Sequence, residues 1–374
     1  MIVLTINSGS TSIKLAAYEA DPRARGDAPL RRLAAVHHQA THIDPSLELR
    51  DFLDQLPSAP RAVVHRVVHG GTRFTHPVLI DESVRTAIGA LAELAPLHNP
   101  LAIRWIDAAR RLCGPDAAQV ATFDTAFFAP LPRVATEYAV SPAIGVDVGV
   151  RRYGFHGLAH EAMWRRFCEL APHLPQGGRL ITVQLGGGCS ITAIDRGRPK
   201  DTSMGFSPLE GLVMGTRSGD ADPAIVPYLE RRLGVSSAHV LEMLNRQAGL
   251  LGMTGGESSP EKLIEDRCER AQFALELYCY RARKYLGAYL AVLGGCEGIV
   301  FGGGVGEHVP EVRARILRAM QWAGIELDPS ANEAARGVEA RISASGSPVL
   351  VQVIAAQAEP LMVRAALGLL PQTL

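Results

Sequence analysis

The sequence lacks several features that would place it in a particular class of protein. It carries no net charge, because 38 basic residues balance 38 acidic ones. This balance disfavours nucleic acid or an anionic membrane as the main partner, since both bind basic surfaces. No apolar run approaches the ~18 residues that a membrane-spanning helix needs. The six cysteines form no C-x-x-C pair and no metal-ligand spacing.

Disorder and export are also disfavoured. Apolar residues make up 47% of the chain and charged residues 20%, a composition that excludes a disordered chain. Residues 1–6 have no basic segment and no cleavage site, so they are predicted to form a strand rather than a signal sequence. Together with cysteines that are expected to be reduced thiols, this predicts a cytoplasmic enzyme. A chain of 374 residues is expected to form two domains.

Two similar hairpins suggest that the domain is duplicated. Residues 2–6 and 12–18 flank the polar turn 7–11, and residues 180–185 and 190–195 flank a glycine-rich turn in the same way. Strand and helix patterns alternate through the rest of the chain, which predicts an α/β protein. Strands are predicted at 61–69, 119–123, 298–301 and 348–355, and helices at 82–94, at 102–112, after Pro260, near Pro310 and at the C-terminus.

Three glycine-rich turns follow strands, at 7–11, 186–189 and 302–306. Backbone amides in such turns can contact phosphate oxygens because no Cβ blocks the approach. None of the three matches the P-loop pattern or heads a dinucleotide-binding βαβ unit. Each could be a tight turn and nothing more, but three at strand ends favour a phosphate-bearing ligand.

Five polar residues stand at strand ends or beside glycines: Arg66, His69, Asp124, His156 and Arg217. Any one of them could be an ordinary core or surface residue. Glycine within one or two positions favours a ligand-binding role, because ligands approach loops with bare backbone.

Eight stretches of this sequence resemble the acetate kinase family of short-chain carboxylate kinases, and the similarity runs nearly from end to end. The most specific is DTSMGFSPLEGLVMGTRSGD at 201–220. The others are NSGSTSIK at 7–14, HRVVHGG at 65–71, LAPLHNP at 94–100, FDTAF at 123–127, RYGFHG at 152–157, GLLG at 249–252 and GGVGE at 303–307.

The resemblance implies the fold shared by acetate kinase, sugar kinases, actin and the Hsp70 ATPase. That fold consists of two ribonuclease-H-like domains with a central nucleotide cleft. We expect the first domain to comprise residues 1–126 and a C-terminal helix at 361–374. The second domain, 127–360, is expected to carry the nucleotide site and the surface of a homodimer.

The resemblance also implies reversible, Mg²⁺-dependent transfer of the ATP γ-phosphoryl group to acetate, giving acetyl phosphate and ADP. Propionate would be tolerated, and Mn²⁺ could replace Mg²⁺. A carboxylate is already ionised at pH 7, so no general base is needed. The reaction needs instead suppression of the repulsion between anions and stabilisation of a charge-spread transition state.

The family's site residues carry over by position. Arg66 and Arg217 resemble its carboxylate and phosphoryl clamps, and a guanidinium suits both anions bidentately. His156 and Asp124 complete the implied catalytic set. The implied substrate site comprises Arg66, Val68, Leu97, His98, Phe155 and Pro208. The implied phosphate and nucleotide site comprises Ser10, Ser12, Lys14, Gln184, Gly186, Gly187, Gly188, Gly303, Gly304, Gly306 and Glu307. The implied metal-side groups are Asn7, Asp124 and Glu359.

Departures from the family pattern cluster on the phosphoryl-donor side. Gln184 and Gly187 replace a histidine and an asparagine, Pro260 interrupts the adenine-side segment, and His308 replaces an asparagine. Phe128 replaces a histidine elsewhere. Drift at tolerant backbone-contact positions is the favoured interpretation of these changes. Alternatives are a different donor, such as pyrophosphate or another nucleotide, or a weakly active nucleotide or acyl-phosphate sensor. A sugar kinase or an actin-like ATPase is disfavoured, because neither needs two arginines beside an apolar acyl pocket.

Overall fold

The computed structural model describes residues 1–9, 12–21, 23, 29–39, 44–96 and 98–370. The chain divides into two compact units, which are described separately below. Unit 1 comprises 1–129, 156–158 and 357–374, and unit 2 comprises 130–155 and 159–356. No helix in the described ranges is both long and apolar enough to cross a bilayer.

Unit 1 contains a six-stranded mixed sheet in the order β3-β2-β1-β4-β6-β5. Its strands are β1 (Ile2–Ser8), β2 (Ser12–Glu19), β3 (Arg31–Gln39), β4 (Ala62–Val67), β5 (Val78–Leu79) and β6 (Ala118–Phe123). Its helices are α1 (Pro45–Leu53), α2 (Glu82–Ala90), α3 (Asn99–Cys113) and α14 (Glu359–Leu369). The predicted N-terminal hairpin is confirmed, because β1 and β2 pair antiparallel from Ile2 with Glu19 to Ser8 with Ile13.

Both faces of this sheet are covered because side chains along a strand alternate between faces. On β1, Val3 packs in a cluster that includes Met362 and Val363 of α14. Leu4 points to the other face and joins Trp105 of α3. Burying one such aliphatic side chain contributes about 1.5–3 kcal/mol to folding. The central strands are therefore fixed in register, and so are the positions of the residues at their ends.

Unit 2 contains a second six-stranded sheet in the order β11-β12-β10-β7-β8-β9. Its strands are β7 (Arg179–Leu185), β8 (Cys189–Asp195), β9 (Arg198–Thr202), β10 (Gly298–Gly302), β11 (Ala340–Arg341) and β12 (Leu350–Val353). Its helices are α4 (Arg133–Thr136), α5 (Gly157–Leu170, which begins in unit 1), α6 (Ile225–Leu233), α7 (Ser237–Arg246), α8 (Gly249–Thr254), α9 (Pro260–Glu265), α10 (Glu269–Leu293), α11 (Gly303–His308), α12 (Pro310–Leu317) and α13 (Pro329–Ala334).

The two sheets have the same topology, which confirms the predicted duplication. In unit 1, β1 pairs antiparallel with β2 and parallel with β4, and β4 pairs parallel with β6. In unit 2, β7 pairs antiparallel with β8 and parallel with β10, and β10 pairs parallel with β12. In each sheet a third antiparallel strand extends one edge and a two-residue strand closes the other. This is the arrangement expected of two ribonuclease-H-like folds.

The long helix predicted after Pro260 is α10, and its aromatic stripe lies in the core as expected. Leu275, Tyr278, Leu286 and Tyr289 are buried on it. The helix ends at Leu293 and is capped by Gly294, whose φ of 68° is left-handed and suits glycine at a helix C-terminus.

Two details of the sequence prediction need correction. Residues 303–306 do not form a turn, because they open the short helix α11. The Oε1 atom of Glu307 accepts a hydrogen bond from the Gly303 amide at 2.8 Å, which offsets the poor helix propensity of glycine. The C-terminal helix begins at Glu359 rather than at 361 and ends at Leu369. The domain boundaries expected from the sequence stay a prediction.

Candidate active site

In unit 1, three candidate residues lie at the same edge of the sheet. Asn7 is near the end of β1, Arg66 near the end of β4, and Asp124 directly follows β6. These three strands are parallel neighbours, so their carboxyl ends share one edge, where open α/β sheets bind ligands.

Arg66 is held by a bidentate ion pair with Asp124. Its Nε lies 3.0 Å from Oδ1 of Asp124, and its Nη2 lies 2.5 Å from Oδ2. Its Nη1 donates to Oδ1 of Asn7 at 3.0 Å. Burial alone would lower the pKa of Arg66, but the charge and hydrogen bonds of Asp124, with the charge of Glu359, raise that pKa overall. Arg66 is therefore a fixed, permanently charged group.

Asn7 also links this pair to the third metal-side candidate. Its Nδ2 donates to Oε1 of Glu359 at 2.8 Å, and Glu359 is buried as the first residue of α14. The described residues hold no group of three or more His, Cys, Asp or Glu side chains that could surround a metal ion. Two carboxylates beside an amide nevertheless fit Mg²⁺, which usually keeps several waters and takes only one or two protein carboxylates.

His156 is held next to Asp124 through the backbone. The amide of the following residue, Gly157, donates to the Asp124 carbonyl at 3.1 Å. A Cβ on Gly157 would stand 2.0 Å from that carbonyl oxygen, so only glycine allows this approach. His156 itself has a φ of 60°, a left-handed conformation that non-glycine residues adopt mainly at strained, functional positions.

The apolar candidates are distributed over both units. Val68 is buried just after β4 in unit 1, and Phe155 is buried in unit 2. His98, at the start of α3, and Pro208, in unit 2, are partly buried. Leu97 and Ser10 lie outside the described residues. On the N-terminal hairpin Ser12 is partly buried, and Lys14 is exposed opposite Asn7.

Asn99 and Thr125 were not among the predicted site residues, and both hold the turn after β4. Asn99 accepts from the His69 amide at 3.2 Å and donates back to the His69 carbonyl at 3.0 Å. Oγ1 of Thr125 accepts from the Gly70 amide at 2.9 Å. Both residues stand inside the motifs quoted above, and their position there was the only signal available.

In unit 2, two glycine-rich segments lie side by side at the ends of β7 and β10. The strands are parallel, and Gln184 is in register with Gly302. A Cβ on Gly303 would lie 2.4 Å from the Leu185 carbonyl oxygen. Gly187 and Gly304 are exposed, so their backbones are accessible to a ligand. This arrangement suits phosphate oxygens.

Two of the predicted phosphate-side residues, Gln184 and Glu307, differ in the hydrogen bonds that their side-chain oxygens accept. Oε1 of Gln184 is buried without a hydrogen-bond partner in the described part of the chain. Oε1 of Glu307, by contrast, accepts from the amides of Gly303 and Ala356 at 2.8 and 3.0 Å. Glu307 therefore orders the backbone near the glycines, as a carboxylate acceptor can do, while Gln184 has an unused acceptor.

Arg217 follows Gly215, which lies near the glycine-rich turn after β7. A Cβ on Gly215 would lie 3.6 Å from the carbonyl oxygens of both Gly187 and Ser258. The chain segments that contain these three residues are therefore neighbours. Within the described part of the chain, the guanidinium of Arg217 donates hydrogen bonds only to the Pro208 carbonyl, at 3.3 Å, and to Sδ of Met214, at 3.8 Å, both from Nη1. Among the described residues no carboxylate pairs with it, and burial lowers its pKa.

Comparison with known proteins places the chain in a family. The model of the acetokinase family matches residues 26–364. An acetate kinase from Chloroherpeton thalassium is 46% identical over 81% of this chain and 74% of its own length. An acetate kinase from Heliobacterium modesticaldum is 38% identical over 97% of this chain and 98% of its own.

Solved structures agree with this placement. The crystal structure of Porphyromonas gingivalis acetate kinase has a TM-score of 0.85 and 33% identity, covering 99% of this chain and 100% of that one. A propionate kinase from Francisella tularensis has a TM-score of 0.87 and 32% identity over the same shares. Two duplicated ribonuclease-H-like folds and a family match over most of the length lead to one conclusion: this chain belongs to the acetokinase family.

Proposed function

We propose that this protein is an acetate kinase that transfers the γ-phosphoryl group of ATP reversibly to acetate, with propionate as a tolerated substrate. The observation that carries the proposal is the pair of partly buried arginines, Arg66 and Arg217, since a guanidinium binds carboxylate and phosphoryl oxygens bidentately. The carboxylate beside Arg66 belongs to Asp124, and its two oxygens are occupied by the ion pair with that arginine.

The chemistry follows from the charge of the substrate. The carboxylate oxygen attacks the γ-phosphorus, the new O–P bond forms, and the bond from that phosphorus to the β,γ-bridging oxygen breaks to release ADP. No proton needs to be removed, because the carboxylate is ionised at neutral pH. The barrier comes from anion repulsion and from charge spread over the phosphoryl oxygens, which guanidinium groups reduce.

Within this proposal the residues divide into three roles. Arg66 and Arg217 bind the carboxylate and phosphoryl oxygens, and His156 donates a hydrogen bond to the transferring group. Val68, Leu97, Phe155 and Pro208 limit the length of the acyl chain, and His98 contributes to the substrate site. One methylene changes discrimination only about 10–200-fold in such a pocket.

Mg²⁺ is the proposed metal, with Mn²⁺ as a substitute. Asp124 and Glu359 would hold it directly or through water, and Asn7 orients Glu359 by its hydrogen bond. The bound ion would neutralise phosphate charge. We expect Glu359→Gln to raise the Mg²⁺ concentration for half-maximal rate about tenfold or more, because weakening such a carboxylate typically costs that much in metal affinity.

We also propose that the protein is a cytoplasmic homodimer. Six cysteines, all unpaired, are typical of a reducing compartment. Light scattering of the purified protein would give twice the mass of the chain if the dimer forms, and the mass of one chain if it does not.

A hydroxylamine trap for acyl phosphate tests the activity. Purified protein is incubated with acetate, Mg²⁺ and either ATP or pyrophosphate. The proposal expects acetohydroxamate with ATP. Signal with pyrophosphate alone would mean that the changes at Gln184 and Gly187 have altered the donor. No signal with either donor, across acetate, propionate and butyrate, would contradict kinase activity and favour the sensor.

A further inference from the structure

Arg217 lies on a loop whose two ends are joined to each other. The amide of Gly211 donates to Oδ1 of Asp220 at 2.9 Å, and the amide of Asp220 donates to the Gly211 carbonyl at 3.0 Å. These paired bonds close residues 211–220 into a ring-like segment. We call this segment the arginine loop.

The closed end of the arginine loop is fastened to the core of unit 2. The hydroxyl of Tyr285, on the long helix α10, donates to Oδ2 of Asp220 at 2.9 Å. The ring of Tyr285 packs edge-on against buried Tyr289, with centroids 5.8 Å apart. Burial and the charge of Asp220 raise the pKa of Tyr285, so its hydroxyl stays protonated and continues to donate.

The rest of the arginine loop is fixed through its backbone. The Met214 amide donates to the Arg217 carbonyl at 3.1 Å. The amides of Ala248 and Leu251 donate to the carbonyls of Thr216 and Gly215 at 3.1 and 2.9 Å. The guanidinium of Arg217, by contrast, makes only two weak hydrogen bonds to the residues that the structure describes. The position of the guanidinium therefore depends on the backbone of the arginine loop.

We propose that Tyr285 and Asp220 are positioning residues that act through Arg217. Their hydrogen bond fixes the closed end of the arginine loop, and this holds the guanidinium where phosphoryl charge develops. The inference rests on the proposed function. It adds two residues that contact neither substrate nor metal in that proposal.

Tyr285→Phe tests this directly, because it removes one hydroxyl and keeps the ring. We expect kcat to fall about tenfold with both KM values changed less than about twofold, since displacement of a catalytic group by 1 Å can cost up to 10²-fold. Tyr289→Phe is the matched control, because it removes a hydroxyl from the neighbouring edge-on ring and leaves Asp220 untouched. It should keep the parental kcat.

A double-mutant cycle separates positioning from a general structural effect. If Tyr285 acts through Arg217, then Tyr285→Phe should lower kcat no further in an Arg217→Ala background. An equal fractional loss in both backgrounds, or parental kcat in the single variant, would overturn the proposal. If Tyr285→Phe does not fold, Asp220→Asn and Asp220→Ala replace it. An asparagine side chain can still accept a hydrogen bond from the Gly211 amide and contact Tyr285. Asp220→Asn should therefore lower kcat less than Asp220→Ala does.

Amide hydrogen exchange tests the role of Tyr285 in the arginine loop independently of kinase activity. Peptides covering 211–220 should exchange faster in Tyr285→Phe than in Tyr289→Phe, whether or not the parent makes acetyl phosphate. If the unmutated protein makes no acetyl phosphate, the kinase proposal is contradicted, but the exchange rates of residues 211–220 still test the role of Tyr285. Unchanged exchange in Tyr285→Phe would overturn the positioning role even in an active enzyme.

Discussion

The two candidate arginines stand on the two halves of a duplicated fold and are held in opposite ways. Arg66 is fixed through its guanidinium, which is paired with Asp124 and hydrogen-bonded to Asn7. Arg217 is fixed through its backbone, since its guanidinium has no carboxylate partner in the described residues and contacts only a carbonyl and a thioether.

This difference has an energetic consequence. A buried ion pair depends on both members, and removing one leaves the other charged and desolvated. Arg217 is partly buried and has no counter-ion among the described residues, so its charge costs desolvation free energy; the same desolvation lowers its pKa. We therefore expect Arg66 to contribute to both stability and catalysis. Arg217 should contribute to catalysis and lower the free energy of unfolding.

The largest expected effect is on catalysis. Arg66→Met and Arg217→Met should each lower kcat/KM by about 10²–10³-fold or more, as loss of a preorganised donor does at an oxyanion. The acyl-phosphate trap measures this. Exposed Arg231, outside the proposed site, provides the control as Arg231→Met. Parental activity in either test variant would remove that arginine from the mechanism.

The second expected effect is on stability and concerns unit 1 alone. Asp124→Asn should lower the free energy of unfolding by about 3–5 kcal/mol, because it breaks a pair whose carboxylate side chain is only 1% exposed. Asp107→Asn is a matched control, since Asp107 pairs with Arg85 through two 2.6 Å bonds but is 30% exposed. It should cost about 0–1 kcal/mol. Equal losses in urea denaturation would show that burial does not distinguish the two pairs.

The third expected effect is the acid sensitivity of unit 1. Burial lowers the pKa of His65 and of His69 to about 4, below the value of about 6.5 expected in the unfolded chain. Their contribution to stability is complete above pH 6.5 and is lost as the pH falls towards 4, because the unfolded state then takes up protons. Each should contribute about 3 kcal/mol over that range.

Urea denaturation between pH 7 and pH 4 checks this expectation. His65→Gln should flatten the dependence of the unfolding free energy on pH, and His37→Gln, at an exposed position on β3, should not. The same slope in both variants would show that His65 titrates alike in the folded and unfolded chains.

Much of the fold follows from local patterns in the sequence. The apolar run at 2–6, the polar turn at 7–11 and the alternating run at 12–18 predicted the hairpin of β1 and β2, and a 3.6-residue period predicted the long helix α10 before Gly294. The glycine-rich start of α11 did not follow, because its helical form depends on a hydrogen bond from Gly303 to the side chain of Glu307.

The site was predicted as a set of residues and not as a set of contacts. Family resemblance marked Arg66, Asp124 and Arg217. It did not specify that the first two pair with each other across 58 residues of sequence. Nor did it indicate that Tyr285 fastens the arginine loop from 65 residues away. Such long-range pairs are created by the packing of strands and helices, which no local pattern encodes.

The most direct test of the contrast between the arginines is urea denaturation of Arg66→Met and Arg217→Met, with the acyl-phosphate trap run on the same preparations. We expect kcat/KM to fall by about 10²–10³-fold or more in both variants. Arg66→Met should lose about 3–5 kcal/mol of unfolding free energy, because Asp124 remains buried and charged. Arg217→Met should be as stable as the parent or more so. Equal destabilisation of the two variants, or full activity in Arg217→Met, would contradict the account.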